Sequence, residues 1–286
     1  MKRLPIKKID SVLKLAFRED IGQSDITTQA ILSKDFCCTG SFLAKEDMII
    51  AGLDIAKRGF ALLDKKASFQ SLCKDGELVK KGENIAHVRG KISALLKAER
   101  SILNILQRLS GIATLTHKIS EEIKDLPCQI LDTRKTTPGL RAFEKYAVRI
   151  GGGKNHRFGL FDKILIKENH IAAAGSITTA LERAFTSQGS TKEIEIEVRN
   201  LKELGEALRA GAKQILLDNF NLKSMRKAVA MASGRATLEA SGNIGWQNLR
   251  KVAQTGVDYI SMGFLTHSPK CVDISFMIQP EKCLKK

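Results

Sequence analysis

From residue 128 onward the chain keeps a rhythm that restricts its fold to a few choices. Short apolar segments recur as CQILDT (128–133), KILIK (163–167), EIEIEV (193–198), QILLD (214–218), ATLEA (236–240) and VDYIS (257–261). Stretches near 177–187, 201–210, 221–232 and 246–255 carry helical spacing and separate the later segments. Strands joined in this way by helices build a parallel sheet. Six or seven such units predict an α/β barrel, with an open doubly wound sheet as the alternative.

Nearly every predicted strand ends in polar or charged residues. These are Asp132-Thr133-Arg134-Lys135, Lys167-Glu168-Asn169-His170, Glu197, Asp218-Asn219, Glu239 with Ser241-Gly242, and Ser261 with Gly263. In a barrel the C-terminal strand ends converge on one mouth, where active sites form. One acid at such a place is commonly a helix cap. Six successive polar strand ends point to a pocket. Its first strands bring Arg134, Lys135, Arg157 and Lys167, and its middle strands bring Glu197 and Asp218. The last two bring Ser241-Gly242-Asn243 and the run from Ser261 through Gly263 to His267. Small residues in those final loops expose backbone N–H groups, which suits a phosphate placed across the mouth from the cations. Glu197 and Asp218 suit Mg²⁺, which takes few carboxylates plus substrate oxygens, or alternatively the stabilising of a cationic carbon centre or the holding of sugar hydroxyls. Glu195 and Glu197 share a strand face by alternation, so one of the two is expected to be functional.

The densest charge lies between Asp132 and Arg157, with seven Lys/Arg against two acids. Apolar segments flank it, so these cations sit close to a folded core. The run Gly151-Gly152-Gly153 lets the backbone approach something closely, and the expected beneficiary is the His156-Arg157 loop folding inward.

The first part of the chain reads differently. Ile9, Val12, Leu13, Ala16 and Phe17 form one helical stripe, closed by a turn at Glu19-Asp20-Ile21-Gly22. Residues 37 to 90 read as short strands and turns, an antiparallel α+β domain. Ser93 is placed to cap a long helix whose stripe is Leu95, Ala98, Ile102, Ile105, Leu109 and Ile112. Arg100 lies off that stripe.

Composition narrows the chemistry. The 286 residues carry a formal net charge of +16, which favours anionic partners. Aromatic residues make up only 5%, too few for stacking platforms, and no helical recognition motif is present, so nucleic acid is not expected as a partner. No apolar run is long enough to span a membrane, and the basic start MKRLPIKKID lacks the apolar centre of a signal peptide. A cytoplasmic protein is expected. The cysteines Cys37, Cys38, Cys73, Cys128, Cys271 and Cys283 form no C-x-x-C pair or zinc-like spacing, so reduced thiols are expected.

Seven motifs resemble the quinolinate phosphoribosyltransferase family. They are EDIGQSDITT (19–28), AERSILNILQRLSGIATLT (98–116), DTRKTTPGLRAFEKYAVRIGGGKNHRFGLFDKILIKENH (132–170), EIEVRNL (195–201), LLDN (216–219), LEASGNI (238–244) and GVDYISMGFLTHS (256–268). They run in order through almost the whole chain. The resemblance implies an N-terminal α/β sandwich (1–111, joined by the final segment 270–286) and a C-terminal incomplete α/β barrel (112–269), α+β overall. It implies conversion of quinolinate and phosphoribosyl pyrophosphate, with Mg²⁺, into nicotinate mononucleotide, pyrophosphate and CO₂. Carried over by motif, Arg134, His156, Arg157 and Lys167 match the quinolinate-binding residues, and Arg100 matches an arginine donated by a partner subunit. Lys135 matches the lysine between quinolinate and pyrophosphate. Glu197 and Asp218 match the acids near ribose and metal. Ser241, Gly242, Asn243, Ser261, Gly263 and His267 match the loops around the phosphoribosyl group. The family works as a homodimer with shared sites, in some members as a hexamer made of three dimers. Arg199 departs from the pattern, standing where another acid or a small polar residue is common. The resemblance also touches a paralogous phosphoribosyltransferase-like group linked to molybdenum transport, and more distantly nicotinate phosphoribosyltransferase.

Overall fold

The computed structural model describes residues 4–188 and 194–280. Residues 1–3, 189–193 and 281–286 lie outside the described residues, and with them Cys283 and the Lys282, Lys285 and Lys286 tail. In chain order the elements begin with α1 (Ile6–Ile21), α2 (Ile26–Ile31), β1 (Cys37–Ala44), β2 (Met48–Ile49), α3 (Leu53–Leu63), β3 (Ser68–Ser71), β4 (Leu78–Val79), β5 (Asn84–Lys91) and α4 (Ile92–Glu122). There follow β6 (Gln129–Leu131), α5 (Arg141–Ile150), β7 (Ile164–Ile166), α6 (Glu168–Ala174), α7 (Ile177–Gln188) and β8 (Ile194–Val198). The last are α8 (Leu201–Arg209), β9 (Gln214–Asp218), α9 (Leu222–Ala232), β10 (Thr237–Ser241), α10 (Leu249–Ala253), β11 (Tyr259–Ser261), α11 (Phe264–His267) and β12 (Ile274–Pro280). They fall into two units. One is Met1–His117, Thr137–Gly152 and Ser268–Lys286; the other is Lys118–Thr136 and Gly153–His267.

The first unit is built on an antiparallel sheet of order β12-β1-β5-β3, with β2 and β4 paired beside it. The final strand therefore returns to pair with β1, from Ala44↔Ile274 to Cys38↔Pro280. Alternation along β1 buries Cys38, Phe42 and Ala44. Phe42 packs against Phe60, Phe69 and Phe276 with ring centroids 4.7–6.3 Å apart. Helix α1 buries Ile9, Leu13 and Phe17 of the stripe read from sequence, with Val12 and Ala16 partly exposed. Gly59 of α3 allows close helix packing, since a Cβ there would stand 2.8 Å from the Ile102 side chain. Helix α4 begins one residue before Ser93, so Ser93 is not its cap. Asp35 fills that role from outside, accepting from the Ser93 N–H at 3.3 Å and its hydroxyl at 2.8 Å. Helix α5 also belongs to this unit. Its fully buried Glu144 accepts two bonds from Arg108, at 2.8 and 2.6 Å, and one from the Thr137 N–H at 3.0 Å.

The second unit carries a parallel sheet of order β6-β11-β10-β9-β8-β7. A doubly wound sheet reverses its strand order in the middle. Here β7 to β11 follow chain order and β6 joins after β11, the order of a ring cut once. Lys154 extends the β6 edge, its N–H donating to the Ile130 carbonyl at 2.8 Å and its carbonyl accepting from the Asp132 N–H at 3.1 Å. The unit is an incomplete α/β barrel, open between Lys154 and β7. Among the described residues, no helix is long and apolar enough to cross a membrane.

Candidate active site

A cavity of about 670 Å³ opens at the C-terminal ends of the barrel strands. That volume lies within the range of small-ligand pockets, about 300–1,000 Å³. Every lining residue belongs to the second unit. Lining it are Arg134, Lys135, His156, Arg157, Lys167, Glu197, Asp218, Ser241, Gly242, Asn243, Ser261, Gly263 and His267. The sequence reading named each of these. Arg100, also named, does not line it and is exposed on α4.

Strand order sets the layout. Arg134 and Lys135 follow β6, Arg157 follows the Lys154 bridge, and Lys167 follows β7. These are the two lips of the barrel's opening, so the cations come together across it. The phosphate-type loops after β10 and β11 were expected across the mouth from all the cations. This needs correcting, because β11 hydrogen-bonds to β6 and sets its loop beside Lys135. A Cβ on Gly263 would come 2.8 Å from Lys135 Cδ, so the glycine leaves room for the lysine stem. The Thr266 hydroxyl donates to the Lys135 carbonyl at 2.8 Å and fixes that turn.

Of the seven cations between Asp132 and Arg157, only Arg134, Lys135 and Arg157 line this cavity. Arg141, Lys145 and Arg149 ride on α5 in the other unit. The glycine run is likewise explained elsewhere than expected. A Cβ on Gly151 would press into the Ala113 carbonyl and stand 2.7 Å from Thr116 Cβ, so this glycine seats the end of α5 on α4. Gly152 takes a positive φ of 94°.

Arg157 is poised for an anion. Its Nε is buried without a hydrogen-bond partner, and one Nη donates to the Lys163 carbonyl at 3.2 Å. Burial, and then the like charge of Arg134, pulls the guanidinium below its ordinary value. Lys167 Nζ stands 3.0 Å from Glu197 Oε2. Asp218 Oδ2 accepts from Asn219 Nδ2 at 3.0 Å, and Asn219 Oδ1 accepts from Asn243 Nδ2 at 3.2 Å. Asn219 and Asn243 both adopt left-handed backbone, φ 55° and 51°. This amide chain ties the end of β9 to the loop after β10. Arg199 faces outward, bridging Glu168 at 2.7 Å and Glu203 at 3.3 Å, so its departure from the family pattern leaves the cavity unchanged.

Beneath the cavity lies a cluster that sequence reading undervalued. Glu195 was set against Glu197 as an either-or, yet both point into the barrel at different depths. Glu195 Oε2 lies 2.9 Å from Lys163 Nζ and 3.2 Å from His156 Nε2. Glu239 Oε2 lies 3.5 Å from the same His156 nitrogen, and its Oε1 is buried without a partner. Burial pushes the Glu195 carboxyl up, but the His156 hydrogen bond and the Lys163 ammonium hold it down to about 2. Burial and then the neighbouring Glu195 carboxylate push Glu239 well above the usual carboxylate range. The available sequence signal was alternation, which sends Glu195 and Glu197 to one face, and the lone acid inside the apolar ATLEA segment. Among the thiols, burial pushes Cys73 up to about 11 and Cys128 up to about 12, which leaves neither as a nucleophile.

Two family models match the chain: "Quinolinate phosphoribosyl transferase, N-terminal domain" over residues 25–110 and "Quinolinate phosphoribosyl transferase, C-terminal domain" over residues 112–277. The chain is 47% identical over 275 residues to a Bacillus subtilis protein named "Probable nicotinate-nucleotide pyrophosphorylase (carboxylating)", covering 96% of this chain and 94% of that one. It is 41% identical over 300 residues to "Quinolinate phosphoribosyltransferase (decarboxylating) 2b, mitochondrial" of Nicotiana tabacum, covering 98% and 85%. The solved nicotinate-nucleotide pyrophosphorylase of Francisella tularensis superposes with a TM-score of 0.93 at 41% identity, over 97% of this chain and 98% of that one.

Proposed function

The chain belongs to the quinolinate phosphoribosyl transferase family, and from that membership we propose that it joins quinolinate to phosphoribosyl pyrophosphate with loss of CO₂, in NAD biosynthesis. The observation that carries the reading is one cavity lined by four cations, Arg134, Lys135, Arg157 and Lys167, and by two acids, Glu197 beside Lys167 and Asp218 at the end of β9. Quinolinate is a pyridine with two adjacent carboxylates. Arg134, Arg157 and Lys167 supply charged donors for both, bidentate where a guanidinium meets a carboxylate. Held this way, the ring nitrogen faces C1 of the ribose. Ser241, Gly242, Asn243, Ser261, Gly263 and His267 would receive the phosphoribosyl group, with Lys135 between the two substrates.

Catalysis is then positioning and electrostatics. As pyrophosphate departs, C1 gains positive character, and the Glu197 carboxylate stabilises it. Lys135 offsets charge on the leaving group. The nitrogen lone pair forms the new bond to C1. The ring cation then lets the adjacent carboxylate leave: the C–C bond breaks, CO₂ departs, its electron pair stays on the ring carbon, and a proton fills it. No protein nucleophile is required. Two half-buried carboxylates in one cavity are hard oxygen donors of the kind Mg²⁺ takes, so the donor set fits. Glu197 and Asp218 would hold the ion, directly or through water, and it would neutralise the pyrophosphate oxygens.

A homodimer with shared sites and a cytoplasmic location belong to the same proposal. The exposed Arg100 supports the first, as a cation available to the site of a second copy. The test of the cationic opening is Arg134→Ala. Leaving a substrate carboxylate unpaired costs on the order of 2–5 kcal/mol, so kcat/KM for quinolinate should fall roughly 30-fold to several thousand-fold. Unchanged kinetics would remove Arg134 from the site.

A further inference from the structure

We propose that His156 is a positioning residue that locks Arg157 in place, and that its imidazole donates no N–H to the substrate. The inference deepens the reading above and rests on it. His156 lines the cavity and matches a quinolinate-binding position, yet both of its ring nitrogens are engaged inside the protein. Nδ1 accepts the Arg157 backbone N–H at 2.9 Å. A nitrogen that accepts carries no proton, so the ring is the Nε2–H tautomer. That proton points to Glu195 at 3.2 Å, with Glu239 at 3.5 Å. The imidazole is 7% exposed.

The same loop is pinned from its other side. Fully buried Asp132 accepts the His156 N–H at 2.8 Å and Asn155 Nδ2 at 2.6 Å. The backbone of residues 155–157 is thus held by Asp132 at the strand end and by the His156 ring from within the barrel. What the loop presents to the cavity is Arg157, with its buried and unpartnered Nε. The His156, Glu195 and Glu239 group also separates two spaces. A second cavity of about 230 Å³ lies toward the strand beginnings, near Lys163, Gln214, Thr237 and Tyr259, and it too is bounded by His156, Arg157 and Glu239. These three side chains offer ligand atoms within 4.8 Å of one another. The Lys163 ammonium, 2.9 Å from Glu195, already supplies the positive charge a cation would bring. The cluster is therefore a strut across the barrel, with Arg157 at its working end.

Two measurements test this. The first is the ¹⁵N spectrum of the histidine rings in the full-length protein, assigned through bonds so that no variant is needed. The strut places an unprotonated Nδ1 and a protonated Nε2 on His156 without ligand, unchanged by added quinolinate. Protonation of both nitrogens, or a shift of Nε2 when quinolinate binds, would overturn it. The ligand-free spectrum decides the tautomer even if the protein proves to release no CO₂ from quinolinate, so the two readings fail separately. The second is a double-mutant cycle on kcat/KM for quinolinate. A residue acting through Arg157 makes His156→Ala/Arg157→Ala no worse than Arg157→Ala. His156→Gln, which keeps an N–H for Glu195, should recover at least tenfold over His156→Ala. Losses that multiply in the double variant, with no recovery by glutamine, would make His156 a direct ligand.

Discussion

At the residue scale the barrel interior divides its acids by depth. Glu197, near the mouth, meets Lys167; Glu195, deeper, meets Lys163 and His156; Glu239 meets a carboxylate that is already ionised. The last arrangement has a signed consequence for stability. The folded protein holds the Glu239 proton above the ordinary carboxyl value of 4.5, where the unfolded chain has released it. Its contribution is therefore full below that value and is lost as pH rises through the elevated folded value. Glu239→Gln, which mimics the protonated acid, should leave the melting temperature little changed near pH 4.5 and raise it relative to the parent at alkaline pH. A melting-temperature difference that stays flat with pH would contradict this. The mouth residues were legible from sequence because strand ends advertise themselves with charge. Glu239 was less legible. It is one acid inside an apolar strand, and only the curl of the sheet shows that it shares a pocket with Glu195, which pairs two strands away.

At the element scale the reading from sequence held where periodicity carries the information. The strands from β6 to β11 and helices α7 to α10 fall where apolar alternation and helical spacing put them, while α5 and the start of α6 lie in the basic stretch from Asp132 to His170, where the sequence reading places no helix. It faltered where partners are distant in the chain. Ser93 has the chemistry of a cap, but α4 starts before it and Asp35 supplies the carboxylate. The β6–β11 pairing joins segments over a hundred residues apart and decides which loop neighbours Lys135. The glycine run looked like part of the active-site loop because it is next to it in sequence. Gly151 instead lets α5 approach the α4 backbone, a contact no local pattern announces. Its replacement tests this. Gly151→Ala drives a methyl into the Ala113 carbonyl and Thr116, and should cost about 1–3 kcal/mol in denaturant unfolding. A loss of kcat/KM without a loss of stability would return the glycine to the active-site loop.

For the molecule as a whole, the resemblance read from the ordered motifs agrees with the family models and with the fold of each unit. The +16 charge is only partly accounted for by the cavity. The four cations at its opening suit two anionic substrates, while Arg58 and Arg250 pair with Asp10 and Asp125 on the surface. Arg100 belongs to this scale, because the role proposed for it is in the site of a second copy of the chain. Arg100→Ala and Arg157→Ala proteins should each be nearly inactive. Once mixed and allowed to exchange subunits, they should regain on the order of a quarter of parental activity, since random pairing restores one intact site in half of the dimers. Persistent inactivity with subunit exchange demonstrated would contradict the shared site.

In the proposed reaction one cavity binds both substrates and releases the carboxylate next to the ring nitrogen. The most direct measurement follows labelled CO₂ from quinolinate carrying the label in that carboxylate, with and without phosphoribosyl pyrophosphate. CO₂ release should require both substrates and Mg²⁺ and match nicotinate mononucleotide and pyrophosphate one for one. Absence of CO₂ with both substrates and Mg²⁺ present, or release that does not depend on phosphoribosyl pyrophosphate, would contradict it.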